Sequence, residues 1–248
     1  MKILVCISHV PDTTSKINFT NGDTEFDTNG VQFVINPNDE FGLTRAIWFQ
    51  EQQGSHVTVL NVGGAETEPT LRKALAIGAN DAIRINTNPT DGFAVAAQIA
   101  EVCKQNNYDL IICGKESLDY NGGMVPGMLA AILGYNFVNS CIDLKVEGTQ
   151  ATTAREIDGG KEIASCSLPL VVGGQKGLVE EKDLRIPNMR GIMTARTKPL
   201  KVMEPSGADN KTKAVKFEKP APKSAVKLVD ANNLDQLIDL LHNEAKVL

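Results

Sequence analysis

The sequence predicts an α/β fold: a doubly wound, mostly parallel sheet with β-hairpin excursions and a C-terminal extended arm plus helix. Three observations carry this. Short apolar runs without polar alternation, such as Leu110-Ile111-Ile112-Cys113, read as strands buried on both faces. Up to Gly134 such runs alternate with segments of helical period, the pattern of parallel strands joined by crossover helices. After Phe137 the texture changes to paired β segments, and after Glu204 to Pro- and Lys-rich sequence without period.

Taken in order, Lys2 to Ile7 is a first buried strand, ending in Ser8-His9 and then Pro11-Asp12-Thr13-Thr14. Between Ile17 and Ile35, Asn21-Gly22 and Asn29-Gly30 are tight-turn signals separating short β-type runs, so a hairpin excursion is expected there. Asn36-Pro37-Asn38-Asp39-Glu40 opens a helix, with Asn38 or Asp39 as its cap and Phe41, Leu43, Ala46, Ile47 and Phe49 on its buried side. A strand over His56 to Val62 follows Gly54. Gly63-Gly64, a helix over Glu66 to Ile77 and a short strand over Asp81 to Ile85 come next. A further helix starts near Asp91 and presents Phe93, Ala96, Ile99, Ala100 and Cys103.

The stretch from Asp109 to Gly134 is the centre of the chain. Its strand breaks at Gly114-Lys115 into a polar, glycine-rich loop running through Gly123. Helical spacing resumes at Met128, Leu129, Ile132 and Leu133. Pro126 suits the first helical position, which leaves Val125 as a cap with no side-chain oxygen. A strand, a glycine loop and a weakly capped helix start place free backbone N–H groups where a phosphate could sit; an ordinary strand-to-helix turn closed by Asn121 is the plainer alternative. Ligands of such sheets collect at the carboxyl ends of the strands, so the loops after Ile7, Val62 and Cys113 are expected to share one crevice.

Ala151 to Ile157, the turn Asp158-Gly159-Gly160 and Lys161 to Leu168 form an antiparallel pair, and Leu170-Val171-Val172 is another buried strand. Leu184 to Met203 carries five basic residues, no acidic one, and apolar residues at Ile186, Met189, Ile192 and Met193. In an acidic protein such a loop fits docking on an acidic surface; a solvated loop with its apolar residues turned inward is the competing reading. Glu204 to Lys227 is an extended linker. Asp230 to Val247 is a short amphipathic helix with Leu234, Leu237, Ile238 and Leu241 on one face, which folds back or grips a second chain.

Composition narrows the function. A net charge of −5 and one Trp, three Tyr and eight Phe argue against a nucleic-acid polymer as partner. The five cysteines form no C-x-x-C pair and lie mostly in apolar runs, as reduced buried thiols do, and the three His are too scattered for a metal site. No run approaches membrane-spanning length and the chain opens directly on a strand, so a cytoplasmic protein, not membrane-embedded, is expected. No G-x-G-x-x-G follows the first strand, and neither G-x-x-x-x-G-K-[ST] nor G-x-S-x-G occurs. Asp39, Glu40, Lys115 and Asp119 can cluster near the crevice, but cap and loop carboxylates are common. The chain reads as a binder and positioner, with no catalytic residue and no metal ligand assigned.

Val10-Pro11-Asp12-Thr13, Asn36-Pro37 with Asp39-Glu40, Ala74-Leu75-Ala76-Ile77-Gly78-Ala79, Gly114-Lys115 with Leu118-Asp119, and Arg155-Glu156-Ile157-Asp158-Gly159-Gly160 occur here in this order. In that order and spacing the chain resembles, along nearly its whole length, the small (β) subunit of electron transfer flavoprotein. The resemblance implies an adenine-nucleotide-binding, universal-stress-like sheet and an αβ heterodimer. That heterodimer carries electrons from flavin dehydrogenases, such as acyl-CoA dehydrogenase in fatty acid oxidation, to a membrane quinone oxidoreductase. The working FAD would lie mainly in the α subunit. The β crevice would hold AMP, or a second FAD in the bifurcating type that oxidises NADH.

By the same resemblance, nucleotide contacts fall at Cys6, Asn36, Pro37, Asn38, Asp39, Val62, Gly114, Lys115, Ser117, Asp119, Asn121, Gly122, Gly123, Met124 and Val125. Thr13 aligns where the β subunit reaches toward the flavin of α. Met189 aligns with an apolar docking anchor, beside Arg190 and Arg196. Residues 1–203 would then be the nucleotide-binding domain, including the partner-docking loop 184–203, and residues 204–248 the linker and helix that clasp the α subunit. Two departures stand out. Glu116-Ser117 replaces the usual Gln-Ala, and Gly123-Met124-Val125 replaces polar residues at the helix entry, so phosphate binding would fall to backbone amides. A free-standing nucleotide sensor of the universal-stress type shares the sheet and is the alternative from another class.

Overall fold

In the computed structural model, which describes residues 1–223 and 225–248, the apolar runs stand side by side in one nine-stranded sheet. Along the chain the elements are β1 (Lys2–Cys6), β2 (His9–Pro11), β3 (Phe19–Thr20), β4 (Glu25–Phe26), β5 (Phe33–Ile35), α1 (Pro37–Gln53), β6 (His56–Val62), α2 (Glu68–Ile77), β7 (Asp81–Ile85) and α3 (Gly92–Asn106). There follow β8 (Leu110–Gly114), α4 (Val125–Leu133), β9 (Asn136–Glu147), β10 (Gln150–Ile157), β11 (Gly160–Ser167), β12 (Leu170–Gly174), α5 (Met189–Ala195), β13 (Leu200–Met203) and α6 (Leu234–Asp239). The strand order is β11-β10-β9-β12-β8-β1-β6-β7-β13, with β9, β10 and β11 antiparallel and the other neighbours parallel.

Alternation along each central strand feeds two cores. Ile3, Val5, Val57 and Val59 face a layer closed by Leu43 and Ile47 of α1 and Leu71 and Leu75 of α2. Leu4, Leu60, Ile83 and Ile111 face a layer closed by Ile99 and Val102 of α3 and Leu129 of α4. Helices thus cover both faces, which is why these strands carry almost no polar residue. From β1 the chain steps to β6 and β7 on one side, then crosses back to β8 on the other. The sheet therefore reverses its winding between β1 and β8, and the crevice at their carboxyl ends is where a ligand of this fold sits.

The excursion between β1 and α1 is two small ladders, β2 on β5 and β3 on β4, with Asn21 and Gly22 both at positive φ in the turn. Four expectations need correction. Helix α1 starts two or three residues earlier than expected, with Asn36 at the cap and Pro37 at the first turn, because the Asn38 and Asp39 side chains are engaged across the crevice. Helix α4 is capped by Met124 rather than Val125. The segment 184–203 is not a loop throughout: it contains α5 and ends in β13, which extends the sheet beside β7. At the end of the chain the regular helix is shorter than expected, α6 passing into a π-helical turn over Leu240–Ala245.

Candidate functional site

The winding reversal is held by one buried carboxylate. Asp39, 2% exposed, accepts the Ser8 N–H after β1 at 2.7 Å and the Gly114 N–H at the end of β8 at 2.7 Å. Burial pushes its pKa up to about 7, against the pull of the Ser8, Asn36 and Gly114 donors. Gly114 is required here, since a Cβ would strike the Asp39 carboxylate and lie 2.9 Å from Asn36 Nδ2. Asn61, on β6, donates to the Ile7 carbonyl at 2.8 Å and so ties the third loop to the first. The loops after Ile7, Val62 and Cys113 thus meet in one crevice.

Asn36 is fully buried beside Asp39 and holds the loop after β8. Its Nδ2 donates to the Glu116 carbonyl at 2.9 Å, joined by Asn38 Nδ2 at 3.2 Å, and its Oδ1 accepts from Leu118 N–H at 3.3 Å. The side chains of Asn36, Asn38 and Asp39 are therefore engaged in shaping the loop, and Pro37 fixes the first turn of α1 behind them. Cys6 is buried at the end of β1, where the neighbouring Cys113 and desolvation raise its thiol pKa. Val62 closes β6, partly exposed.

The loop between β8 and α4 folds on itself. Ser117 and Gly122 exchange backbone hydrogen bonds at 3.1 and 3.2 Å, and Asn121 takes a left-handed φ of 49° in the turn between them. Asp119 accepts from the Ser117 hydroxyl and from Tyr120 N–H, so its carboxylate serves the turn. Asn121 closes this turn, as the plainer reading of the sequence had it, and the turn leaves the next residues open. Gly123 and Met124 are exposed, α4 has no side-chain cap, and among the described residues no backbone carbonyl outside the helix accepts from Gly123, Met124 or Val125 N–H. The Met124 side chain lies on the start of α3, where a Cβ at position 92 would lie 2.6 Å from Met124 Cγ. Glu116 is not a bare charge, because Lys115 Nζ lies 3.8 Å from its carboxylate. The arrangement fits an anionic group held by main-chain N–H at the start of a nine-residue helix, with side chains bracing the loop.

Thr13 is exposed at the tip of a turn that Asp12 fixes by accepting from Thr14 N–H at 2.8 Å. Far from the crevice loops in sequence, Met189 is 77% exposed on α5, with Ile186 and Met193 also in solvent. Arg190 and Arg196 are exposed and form no ion pair among the described residues. The inward-turned reading of this segment is thus excluded for its apolar tips.

Sequence reading passed over Ser8, Asn61, Arg72, Arg84 and Lys198. Arg84, an arginine inside an apolar strand, was the visible signal: it is buried and donates to the Gly63 carbonyl at 3.1 Å and to Asn86 at 2.7 Å, bracing the loop after β6.

Comparison with known proteins places the sequence in a family. The family model described as the electron transfer flavoprotein domain matches residues 23–208. The chain is 33% identical to the electron transfer flavoprotein subunit beta of Bacillus subtilis, with all of both chains aligned. It is 32% identical to that of Syntrophomonas wolfei over all of this chain and 98% of the other. With the human subunit it shares 28% identity over 91% of each chain. With the family model matching residues 23–208 and relatives aligned along the full chain, the chain belongs to the electron transfer flavoprotein family, as a member of its β-subunit branch.

Proposed function

We propose that this chain is the β half of a heterodimeric electron carrier, completed by an α subunit that holds the working FAD, and that its crevice holds AMP. The observation that carries the nucleotide reading is the open run of N–H groups from Gly123 to Val125, placed beside a crevice whose polar side chains are already bonded to the protein. In this reading Cys6 and Val62 offer main-chain groups on the adenine and ribose side, and the loop from Gly114 through Lys115, Ser117, Asp119, Asn121 and Gly122 to Val125 forms the phosphate side. Bound FAD supplies the one-electron and hydride chemistry; this chain contributes Thr13 at the edge facing the α subunit. Electrons would come from flavin dehydrogenases such as acyl-CoA dehydrogenase and leave to a quinone oxidoreductase.

The test is to purify the chain with its α partner and release the bound nucleotides. One FAD and one AMP per heterodimer is the expected result. Two FAD would establish the bifurcating type. A solitary β chain without nucleotide would overturn the reading in favour of a different protein of the same sheet.

The exposed Met189, flanked by Arg190 and Arg196, is the docking anchor for the dehydrogenase in this reading. Met189→Ala is expected to raise the dehydrogenase concentration needed for half-maximal flavin reduction by about 30-fold, the equivalent of about 2 kcal/mol for an apolar hot spot. FAD content should not change. Stopped-flow reduction over a range of dehydrogenase concentrations reads both the half-saturation and the plateau.

A further inference from the structure

The segment that presents Met189 has no stability of its own. Helix α5 spans seven residues, too short to persist alone in water. Asn188 caps it by accepting from Gly191 N–H at 2.8 Å, which holds one end only. The rest of its support comes from α2. Gly191 sits directly on the Ala76 carbonyl, where a Cβ would collide.

Two cations then bind the pair reciprocally. Arg72, on α2, donates from Nη1 to the carbonyls of Ala195 and Lys198, both at 2.9 Å, beyond the exposed tips of the segment. Glu68, one turn earlier on α2, accepts from Arg72 Nε at 3.3 Å and Nη2 at 3.2 Å and so orients the guanidinium. In return Lys198 donates from Nζ to Leu75 O at 2.9 Å and Ala79 O at 2.6 Å, closing the carbonyl end of α2. Of the basic residues that make the segment look like a docking loop, Lys198 is thus turned inward and Arg185 is paired with Glu51, while Arg190 and Arg196 are exposed and form no ion pair among the described residues.

We infer that Arg72 and Lys198 are positioning residues for electron-transfer docking: they latch α5 to α2 and so present Met189, Arg190 and Arg196 in one geometry before a partner arrives. The inference rests on the docking role proposed above and adds to it a pre-formed, not partner-induced, surface. A partner that meets a formed surface orders fewer residues on binding, and apparent affinity falls in proportion to the fraction of molecules that hold the competent form.

The experiment uses the FAD-loaded heterodimer, with Arg72→Gln and, as a second variant in case the first folds poorly, Lys198→Met. An acyl-CoA dehydrogenase reduced by its own substrate serves as donor. In either variant the dehydrogenase concentration for half-maximal flavin reduction should rise about tenfold, the plateau rate and FAD content should hold, and tryptic cleavage after Arg190 and Arg196 should accelerate by a similar factor. A role in folding alone would instead lower FAD content or the plateau. Faster cleavage with unchanged half-saturation would overturn the inference, as would cleavage no faster than in the native chain. Met189→Ala in parallel separates the two claims. If it too leaves half-saturation unchanged, the docking reading falls; if it alone raises it, the docking reading stands and the latch does not.

Discussion

Asp39 shows how much one side chain can organise. A carboxylate at 2% exposure, with no cation paired to it among the described residues, is costly to bury, and two main-chain N–H donors from different loops hold it. Removing it by Asp39→Ala leaves both donors buried without an acceptor, at about 1–3 kcal/mol each, so urea unfolding of the purified chain should show a loss of about 2–6 kcal/mol. The pH dependence follows from the same burial. The folded-state pKa of about 7 lies above the ordinary 3.8, so between those values the native chain binds more protons than the unfolded one. Stability linked to Asp39 is therefore fully present below about pH 4 and is lost as pH rises through about 7. Unfolding free energies of the native chain should fall between pH 5 and pH 8 relative to Asp39→Asn, whose side chain does not titrate. Parallel pH profiles for the two would exclude this linkage.

At the scale of elements, burial decides what could be read in advance. Strand β6 was legible over its full length because its interior is buried on both faces, and β8 because all five of its residues are buried. Helix α3 was legible from its apolar spacing with a start near Asp91, which caps it by accepting from Ala94 N–H at 2.8 Å. The start of α1 was not, because a propensity rule for caps cannot know that the Asp39 and Asn38 side chains will be drawn to Ser8, Gly114 and Glu116, residues far away in sequence. The crevice followed from the fold class, because ligands of such sheets collect at the carboxyl ends of the strands. Its bracing did not, since Asn61 and Arg84 act through carbonyls that only the folded sheet brings near. Helix α5 and strand β13 were illegible for a shared reason. One is seven residues long and lent its stability by α2; the other is a four-residue edge strand with an exposed middle, so neither carries a burial period to detect.

At the scale of the whole molecule, the stretch after Met203 divides in two. Ser206 and Gln98 bond reciprocally at 2.8 Å, Asn210 accepts from Thr90 N–H at 2.8 Å, and Thr212 N–H donates to Asp91 at 2.6 Å. Phe217 then stacks on Phe19 at 4.9 Å and donates its N–H to the Asp23 carbonyl at 2.7 Å. As far as Lys219, which donates to Asn18, the arm is a surface strap of its own domain. Beyond it Val226, Leu228, Leu234 and Ile238 are each more than half exposed, an apolar set left largely uncovered by the described residues. We propose that the α subunit covers this distal half, so the grip on the partner begins after Pro220 rather than at Glu204. A chain ending at Pro220 should then melt within about 2 °C of the full-length β chain, because it loses few buried contacts. Mixed with the α subunit, it should elute from a sizing column as two separate species where the full-length chain elutes as one. A truncated chain that still co-elutes with α at micromolar concentration would place the interface elsewhere on the domain and leave the apolar set unexplained.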